Sequence, residues 1–187
     1  MESTAYFRLF VVSKRGKSRS DPARHAVFNN LAIYAEFNWV GYWDADFSTP
    51  LSEVDGMLRY WELNQSKAVA IWGSRVMRLG SSIERHFWRH VFGRLFATLV
   101  GLSLPSVKVY DSQCGAKVFK RSLIPALFEK AFVSPWIFDV ELLYRLKNQP
   151  LLEYPLREWH DQQGGQFRLL KHGPRALWDL IKIRKGY

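Results

Sequence analysis

The sequence predicts an α/β domain built on a mostly parallel sheet flanked by helices, and three observations favour this fold class. Apolar, strand-like runs at 6–12, 39–43 and 67–72 alternate with helix-like segments at 21–37 and 51–63. A strand, a helix and a second strand in succession form a unit that requires parallel strands. The 187 residues, 48% of them hydrophobic, are enough for one domain with a substantial core.

The second strand carries the main candidate site. Residues 39–43 are followed directly by Asp44 and Asp46, and then by small hydroxyl residues and Pro50. Ligands of open α/β sheets bind beyond the carboxyl ends of the strands, where both acids are expected. Carboxylates there suit Mg²⁺ or Mn²⁺, which proteins hold through one or two acids and substrate phosphates. A lone D-x-D is more often a strand end or a helix cap, so its surroundings decide the interpretation.

Cations follow near the same edge. The strand predicted at 67–72 ends in Gly73-Ser74-Arg75, and arginine is well suited to bidentate phosphate recognition. The segment 82–102 has helical periodicity. Its polar stripe and the edge of that stripe contain His86, His90, Arg94 and Arg89. A solvated basic face is the ordinary interpretation of such a stripe, whereas the nearby acids and Arg75 favour anion binding.

Asp111 is a third candidate acid and lies in a turn between two short strand-like runs. A functional acid and a turn-stabilising aspartate both account for it. Cys114 follows in the same turn and, with no cysteine partner, is interpreted as a packing residue. Asp139 and Glu141 stand near the start of a helix predicted at 138–147, where the helix dipole alone accounts for them.

The chain is predicted to end in an amphipathic helix at 174–185, after a helix at 122–131 and a strand at 151–156. The inward residues expected in this last helix and the cations at its end are Leu177, Leu180, Ile181, Lys182, Arg184 and Lys185. Core packing with a favourable charge at the helix end is one interpretation. Contact with a membrane surface is the other.

Composition limits the partners. A formal charge of +10 favours phosphates, nucleic acid or a lipid surface without deciding among them. One cysteine allows no internal disulfide, and the first residues lack a secretory signal pattern. The most apolar stretch, 91–104, is interrupted by Arg94 and is too short to span a bilayer. We therefore expect a protein of the cytoplasm or of the cytoplasmic face of a membrane.

Five motifs in order identify a resemblance to a known family. They are Val40-Gly41-Tyr42-Trp43-Asp44-Ala45-Asp46-Phe47-Ser48-Thr49-Pro50-Leu51, Gly73-Ser74-Arg75, Arg89-His90 with Gly93-Arg94-Leu95-Phe96-Ala97-Thr98, Tyr110-Asp111-Ser112-Gln113-Cys114-Gly115-Ala116-Lys117 and Trp136-Ile137-Phe138-Asp139-Val140-Glu141. Together they resemble the family-two glycosyltransferases. Within that family, the chain resembles the dolichyl-phosphate and polyprenyl-phosphate glucosyl- and mannosyltransferases.

The resemblance implies a GT-A fold and an inverting transfer of a hexose from a nucleotide-diphosphate sugar, UDP-glucose or GDP-mannose, to a polyprenyl (dolichyl-type) phosphate. It also implies Mg²⁺ or Mn²⁺ at Asp44 and Asp46, against the donor pyrophosphate, with Asp111 near the reacting centre. Lys17 lies in the loop that matches a donor-side loop of the family. The arginines that match the acceptor-phosphate site are Arg75, Arg89 and Arg94.

The chain also departs from the family. It lacks the opening strands that end in Pro-Ala-Tyr-Asn-Glu and Asp-Asp-Gly-Ser, and Gly164-Gly165-Gln166 stands where Gly-Ser-Lys is usual. We expect one domain, 1–187, with a degenerate remnant of the nucleotide-binding half at 1–38, a D-x-D and acceptor-side core at 39–160, and a loop with a terminal helix at 161–187. The N-terminal truncation would leave a sheet edge open to self-association.

Three hypotheses follow from the sequence. The first is a glycosyltransferase domain, active alone or when completed by another chain. The second is a non-catalytic remnant of such an enzyme, because strands of the nucleotide site are missing. The third is a basic nucleic-acid-binding module, which is disfavoured because the cations lie beside acids and no nucleic-acid motif occurs.

Overall fold

The computed structural model describes residues 7–12, 37–84, 87–134, 136–160 and 169–187. The strands are β1 (Phe7–Val12), β2 (Trp39–Asp44), β3 (Ala70–Ser74), β4 (Ser82–Ile83), β5 (Ala116–Lys120), β6 (Leu151–Pro155) and β7 (Glu158–Trp159). The helices are α1 (Glu53–Leu63), α2 (Phe87–Ser103), α3 (Ile124–Phe128), α4 (Phe138–Arg145) and α5 (Leu169–Gly186), with a 3₁₀ turn at Arg121–Leu123 leading into α3. The helix predicted at 21–37 lies outside the described residues, apart from its last position.

The main sheet has the strand order β1-β2-β5-β3-β6. β1 pairs in parallel with β2, and β3 pairs in parallel with β6. β5 lies between β2 and β3 and runs antiparallel to both. β4 and β7 form a separate two-stranded sheet. The mostly parallel α/β sheet predicted from the sequence is confirmed, with β5 as its reversed strand.

The reversed direction of β5 determines which part of the chain lies at the carboxyl edge of the sheet. Ala116, the first residue of β5, is the register partner of Trp43, the residue before the end of β2. The chain therefore enters β5 at the edge where β2 and β3 end. As a result, the turn that precedes β5 lies beside Asp44.

The central strands are buried on both faces. Residues 39–43 of β2 and all of β3 are buried. Trp72 packs edge-on against Phe119, with 6.1 Å between ring centroids, and Tyr42 packs edge-on against Phe138 of α4 at 5.4 Å. Strands covered on both faces have continuous apolar sequences rather than alternating ones. Burial of each such side chain contributes roughly 1.5–3 kcal/mol relative to exposure, so this layer supplies much of the stability.

The helix predicted from residue 82 begins at Phe87 instead. The amide of Ser82 donates to the carbonyl of Arg157 at 2.7 Å, and the amide of Glu84 donates to that of Trp159 at 3.0 Å. These two bonds make Ser82–Ile83 a strand. The error arose because a pairing partner more than seventy residues away in the chain leaves no local signal.

The orientation of α5 differs from the prediction. Leu180 is buried as expected, but Leu177 and Ile181 are exposed, and the buried apolar stripe is formed by Ala176, Leu180 and Ile183. These three positions share one helix face that packs towards α4. Among the helices of the described residues, none combines the length and the apolar character needed to cross a bilayer.

Glu53, the first residue of α1, ties that helix to the corner between β6 and β7. Its side chain is buried, and its Oε1 accepts hydrogen bonds from the amides of Arg157 and Glu158, both at 2.9 Å. Two backbone amides therefore depend on one buried carboxylate.

We expect Glu53→Ala to lower the free energy of unfolding by about 2 kcal/mol, because it removes two hydrogen bonds to a charged acceptor, and such bonds contribute roughly 1.5–3 kcal/mol. Glu62→Ala, at an exposed position of the same helix, is the matched control and should change it by less than about 0.5 kcal/mol. Urea unfolding at constant pH measures both values. Equal effects of the two substitutions would show that the corner does not depend on Glu53.

Candidate functional site

The two acids of the D-x-D lie where the sequence predicts, at the carboxyl end of β2. The amide of Asp44 donates to the carbonyl of Gly115 at 2.9 Å, and its Oδ1 accepts a hydrogen bond from the hydroxyl of Tyr42 at 3.1 Å. Asp46 is exposed, and its Oδ1 accepts the amide of Ser48 at 3.0 Å. The first acid is thus fixed by the sheet, whereas the second is presented by the turn that follows it.

Gly115 makes room for Asp44. A Cβ atom at position 115 would overlap the carboxylate of Asp44 and would also press on its Cβ. Any other residue would therefore have to displace the side chain of Asp44. The glycine of the turn before β5 is required by the acid at the end of β2.

Arg75 and Asp111 form a bidentate ion pair at the same edge. The Nε of Arg75 donates to Oδ2 of Asp111 at 2.5 Å, and its Nη2 donates to Oδ1 at 2.7 Å. The amide of Arg75 also donates to Oδ2, at 3.2 Å. The guanidinium carbon lies 5.3 Å from the ring centroid of Trp159. The two residues that the sequence singled out separately are therefore held together.

The charge of Arg75 is strongly stabilised by this arrangement. Burial lowers the pKa of the guanidinium, but the Coulombic attraction and hydrogen bonds of Asp111 outweigh it, with smaller contributions from Cys114 and Asp44. The net result is a pKa above the ordinary value of arginine. Arg75 is thus a permanent cation within electrostatic range of Asp44, and Asp111 is a carboxylate already balanced by it.

Glu153 of β6 positions the turn that carries Asp111. Its Oε1 accepts the amide of Asp111 and its Oε2 accepts the amide of Tyr110, both at 2.9 Å. Sequence reasoning missed this residue. The available signal was a single acid in the middle of the apolar strand predicted at 151–156.

Arg94 reaches the same turn from α2. Its Nη1 donates to the carbonyl of Tyr110 at 2.9 Å, and its guanidinium carbon lies 3.7 Å from the centroid of the Tyr110 ring. The structure therefore places Arg94 beside the turn of Asp111, as it does Arg75. Lys17 and the side chain of Arg89 lie outside the described part of the structure, and their predicted roles stay predictions.

A buried cation, Lys117, lies beneath the turn. Its Nζ donates to Oδ1 of Asp139 at 2.7 Å and also to the carbonyl of Cys114. The rings of Trp72 and Tyr42 surround it, with centroids 4.8 and 5.2 Å from Nζ. Asp139 is therefore an ion-pair partner, and the helix dipole alone does not account for it. The pair connects α4 to the turn between Asp111 and Ala116.

Cys114 is a packing residue, as predicted. It is fully buried, and burial, reinforced by the charge of Asp111, raises the pKa of the thiol to about 11. The thiol is consequently protonated near neutral pH. A protonated thiol is a poor nucleophile and metal ligand, which agrees with a structural role.

His160 contacts the D-x-D turn from β7. Its amide donates to the carbonyl of Ser48 at 2.8 Å. In its ring, Nε2 lies 2.7 Å from Oε1 of Glu158 and Nδ1 lies 3.3 Å from Oε2 of Glu84. The hydrogen bond of Glu158, followed by that of Glu84, raises the pKa of the imidazole. Sequence reasoning did not identify this histidine.

The chemistry of Asp44 and Asp46 fits a hard divalent cation, because both supply carboxylate oxygens at an edge open to a ligand. Within the described residues, no group of three or more histidine, cysteine or acidic side chains is arranged to hold a metal ion. In sites that bind phosphates, Mg²⁺ is commonly held by one or two carboxylates together with water and substrate phosphate oxygens.

The sheet order, the reversed central strand and the acids at its carboxyl edge define a fold class, the GT-A fold. The crystal structure of glucosyl-3-phosphoglycerate synthase from Mycobacterium tuberculosis in complex with UDP has the same fold. It matches 86% of this chain and 54% of its own, with a TM-score of 0.58 and 14% sequence identity. At that identity the likeness establishes the fold alone.

Sequence comparison identifies the particular relatives. The chain is 30% identical over 157 residues to the dolichyl-phosphate β-glucosyltransferase of Saccharomyces cerevisiae. The aligned region covers 77% of this chain and 46% of that protein. The enzyme of the same name from Drosophila melanogaster is 31% identical over 134 residues, covering 66% of this chain and 39% of that protein. No protein-family model matches the sequence. The chain is thus a relative of the dolichyl-phosphate β-glucosyltransferases and spans about half of their length.

We expect Gly115→Ala to lower the free energy of unfolding by about 1–3 kcal/mol, the usual cost of forcing extra atoms into a packed site. Gly101→Ala in α2 is the control, because no atom lies within 4 Å of the position its Cβ would take. Alanine there should stabilise the protein by up to about 1 kcal/mol, since glycine is a poor helix former. Denaturant midpoints give both values. A neutral Gly115→Ala would mean that Asp44 is not confined by the turn.

The contacts of His160 predict a pH-dependent stability. Because its pKa is raised in the folded state, the stabilisation is fully present below the unfolded pKa of about 6.5 and is lost as pH rises through the folded value. The difference in melting temperature between the wild-type protein and His160→Gln should therefore be larger at pH 5.5 than at pH 8.5. A difference that is constant across this range would show that the charge of His160 does not contribute.

Proposed function

We propose that this chain is a glycosyltransferase domain that transfers a hexose, with inversion, from a nucleotide-diphosphate sugar to a polyprenyl (dolichyl-type) phosphate. The observation that carries the proposal is the convergence of Asp44, Arg75 and Asp111 at one sheet edge, in a relative of the dolichyl-phosphate β-glucosyltransferases. The lipid acceptor implies work at a membrane, and we place the domain on the cytoplasmic face.

UDP-glucose is the favoured donor. The relatives are named as glucosyltransferases. GDP-mannose is the second candidate. Asp44 and Asp46 would hold Mg²⁺ or Mn²⁺, which would neutralise charge on the donor pyrophosphate. Lys17 is the proposed donor-side cation.

The proposed chemistry needs little proton transfer. An acceptor phosphate oxygen would attack the anomeric carbon of the sugar, while the bond from that carbon to the pyrophosphate oxygen breaks and the nucleoside diphosphate leaves. The acceptor is already ionised, so the principal requirement is to bring two anionic groups together. Arg75, Arg89 and Arg94 are the proposed cations for the acceptor phosphate.

The ion pair with Arg75 refines the role of Asp111. A carboxylate that accepts two bonds from a guanidinium is poorly suited to remove a proton, but it orients that guanidinium firmly. We therefore assign Asp111 to positioning Arg75 at the reacting centre. Arg75 would bind the acceptor phosphate through guanidinium N–H groups other than those that donate to Asp111.

The test is thermal unfolding with Mn²⁺ and either UDP-glucose or GDP-mannose, for the wild-type protein and for Asp46→Ala. At a hundredfold excess over its dissociation constant, UDP-glucose should stabilise the folded state by about 2.7 kcal/mol. The shift should require Mn²⁺ and be lost in Asp46→Ala. The control, Asp55→Ala, changes an exposed acid of α1 and should keep the shift.

The alternative is a non-catalytic domain, and the same experiment distinguishes it from the enzyme. A protein that unfolds cooperatively but shows no shift with any nucleotide sugar would support this candidate and overturn the proposed transfer. A shift followed by glucose transfer to a polyprenyl phosphate would establish the enzyme.

A further inference from the structure

A cavity of about 340 Å³ lies at the sheet edge opposite the D-x-D. It is lined by Trp39, the first residue of β2, and by its register partner Lys120, the last residue of β5. Asp44 is at the other end of β2. At about 3.3 Å per residue, the two ends of this strand lie roughly 16 Å apart. The cavity is therefore separate from the edge that carries Asp44, Arg75 and Asp111.

Two neighbouring cations, Lys120 and Arg121, line this cavity, and both are half-buried. The Nζ of Lys120 lies 5.8 Å from the centroid of the Trp39 ring and 5.4 Å from that of Trp61. Within the part of the chain that the structure describes, neither cation forms an ion pair with a carboxylate. Two positive charges that lack an acidic partner at a concave surface favour an anionic ligand.

The walls of the cavity are held by contacts within the domain. The Nε1 of Trp61 donates to the carbonyl of Ala68 at 2.9 Å, and its ring packs edge-on against Trp39 with 5.2 Å between centroids. The amide of Arg121 donates to the carbonyl of Asn38 at 3.0 Å. Because these contacts hold both indoles and the backbone beside the cations, ordering the walls costs a ligand little binding free energy.

Neutral and acidic polar groups complete the lining. Asn38, Glu62 and Ser122 bring an amide, a carboxylate and a hydroxyl to the cavity, and all three residues are exposed. Such groups bind the hydroxyls of a ligand as donors and acceptors of hydrogen bonds. The half-buried ring of Trp61 adds apolar surface, which suits the carbon–hydrogen face of a sugar. The cavity therefore combines phosphate-binding cations with groups that suit a hydroxyl-rich ring.

We propose that this cavity binds a sugar phosphate. Lys120 and Arg121 would bind the phosphate, and the polar groups would bind the sugar hydroxyls. The volume falls at the lower end of the roughly 300–1,000 Å³ of small-molecule pockets. A stacked nucleobase is disfavoured, because Trp39 is only 4% exposed and the Lys120 ammonium lies close to both rings. The site uses none of the residues assigned to hexose transfer, so the inference goes beyond the proposed function.

The test is isothermal titration calorimetry with glucose 6-phosphate as the probe, and saturable binding of one molecule per chain is expected. Lys120→Gln combined with Arg121→Gln should weaken this binding by about tenfold or more, because both charged contacts with the phosphate are lost. The matched control, Arg184→Gln combined with Lys185→Gln, removes the same charge from exposed positions of α5 and should bind as the wild type does. If the double variant does not unfold cooperatively, Arg121→Gln alone replaces it, with an expected loss of about threefold or more.

Glucose, inorganic phosphate and AMP are the comparison ligands, and each should bind about tenfold more weakly than glucose 6-phosphate, or weaker still. No binding of the probe would overturn the proposal, as would equal binding of inorganic phosphate or AMP, or equal losses in the variant and its control. Binding that is lost in Asp46→Ala and kept in the Lys120 and Arg121 variant would assign the probe to the D-x-D edge and overturn it too. The nucleotide-sugar shift should persist in that variant, so the proposed function is tested separately.

Discussion

The close approach of Gly115 to Asp44 is the constraint on which the candidate site depends. It exists because β5 runs against its neighbours and so enters the sheet at the edge where β2 ends. The turn before β5 must pass over the end of β2, and a side chain at position 115 would occupy the space of the Asp44 carboxylate. The strand order, the glycine in the turn and the position of Asp44 therefore depend on one another. Glu153 and Lys117 each form hydrogen bonds with the backbone of this turn.

Three close ion pairs hold charged side chains inside the domain. Arg75 is matched by Asp111, Lys117 by Asp139, and Arg145 by Glu141. Removing ions from water is costly, and only close partners and further hydrogen bonds offset that cost, so each pair depends on both members. Since these pairs are neutral overall, they do not account for the formal charge of +10. The surplus cations belong to the rest of the chain, including the exposed Arg175, Lys182, Arg184 and Lys185 of α5.

The sequence predicted the parts of the structure that depend on local patterns. The strand before Asp44, the helix after it and the parallel pairing of β1 with β2 all follow from short apolar runs and their order. The bidentate contact of Arg75 with Asp111 did not follow, because 36 positions separate the two residues and only the fold brings them together. The contacts of Glu153 with the turn could not be predicted for the same reason. The predicted inward orientation of Leu177 and Ile181 was wrong, because helical periodicity shows that two apolar faces exist without showing which one packs. Here the stripe that contains the small residue Ala176 packs against α4.

The position of β5 also affects how the chain reaches this structure. β2 and β3 follow one another in the sequence, yet they are not neighbours in the sheet, and the gap between them is filled by a strand that begins more than forty residues after β3 ends. Until β5 is in place, β2 and β3 each have one edge whose backbone groups lack a neighbouring strand. Pairing over such sequence separations is slow, because the entropy of closing the loop is lost before the stabilising contacts form. We therefore expect the centre of the sheet to form late, and a chain without β5 in place would expose apolar strand edges.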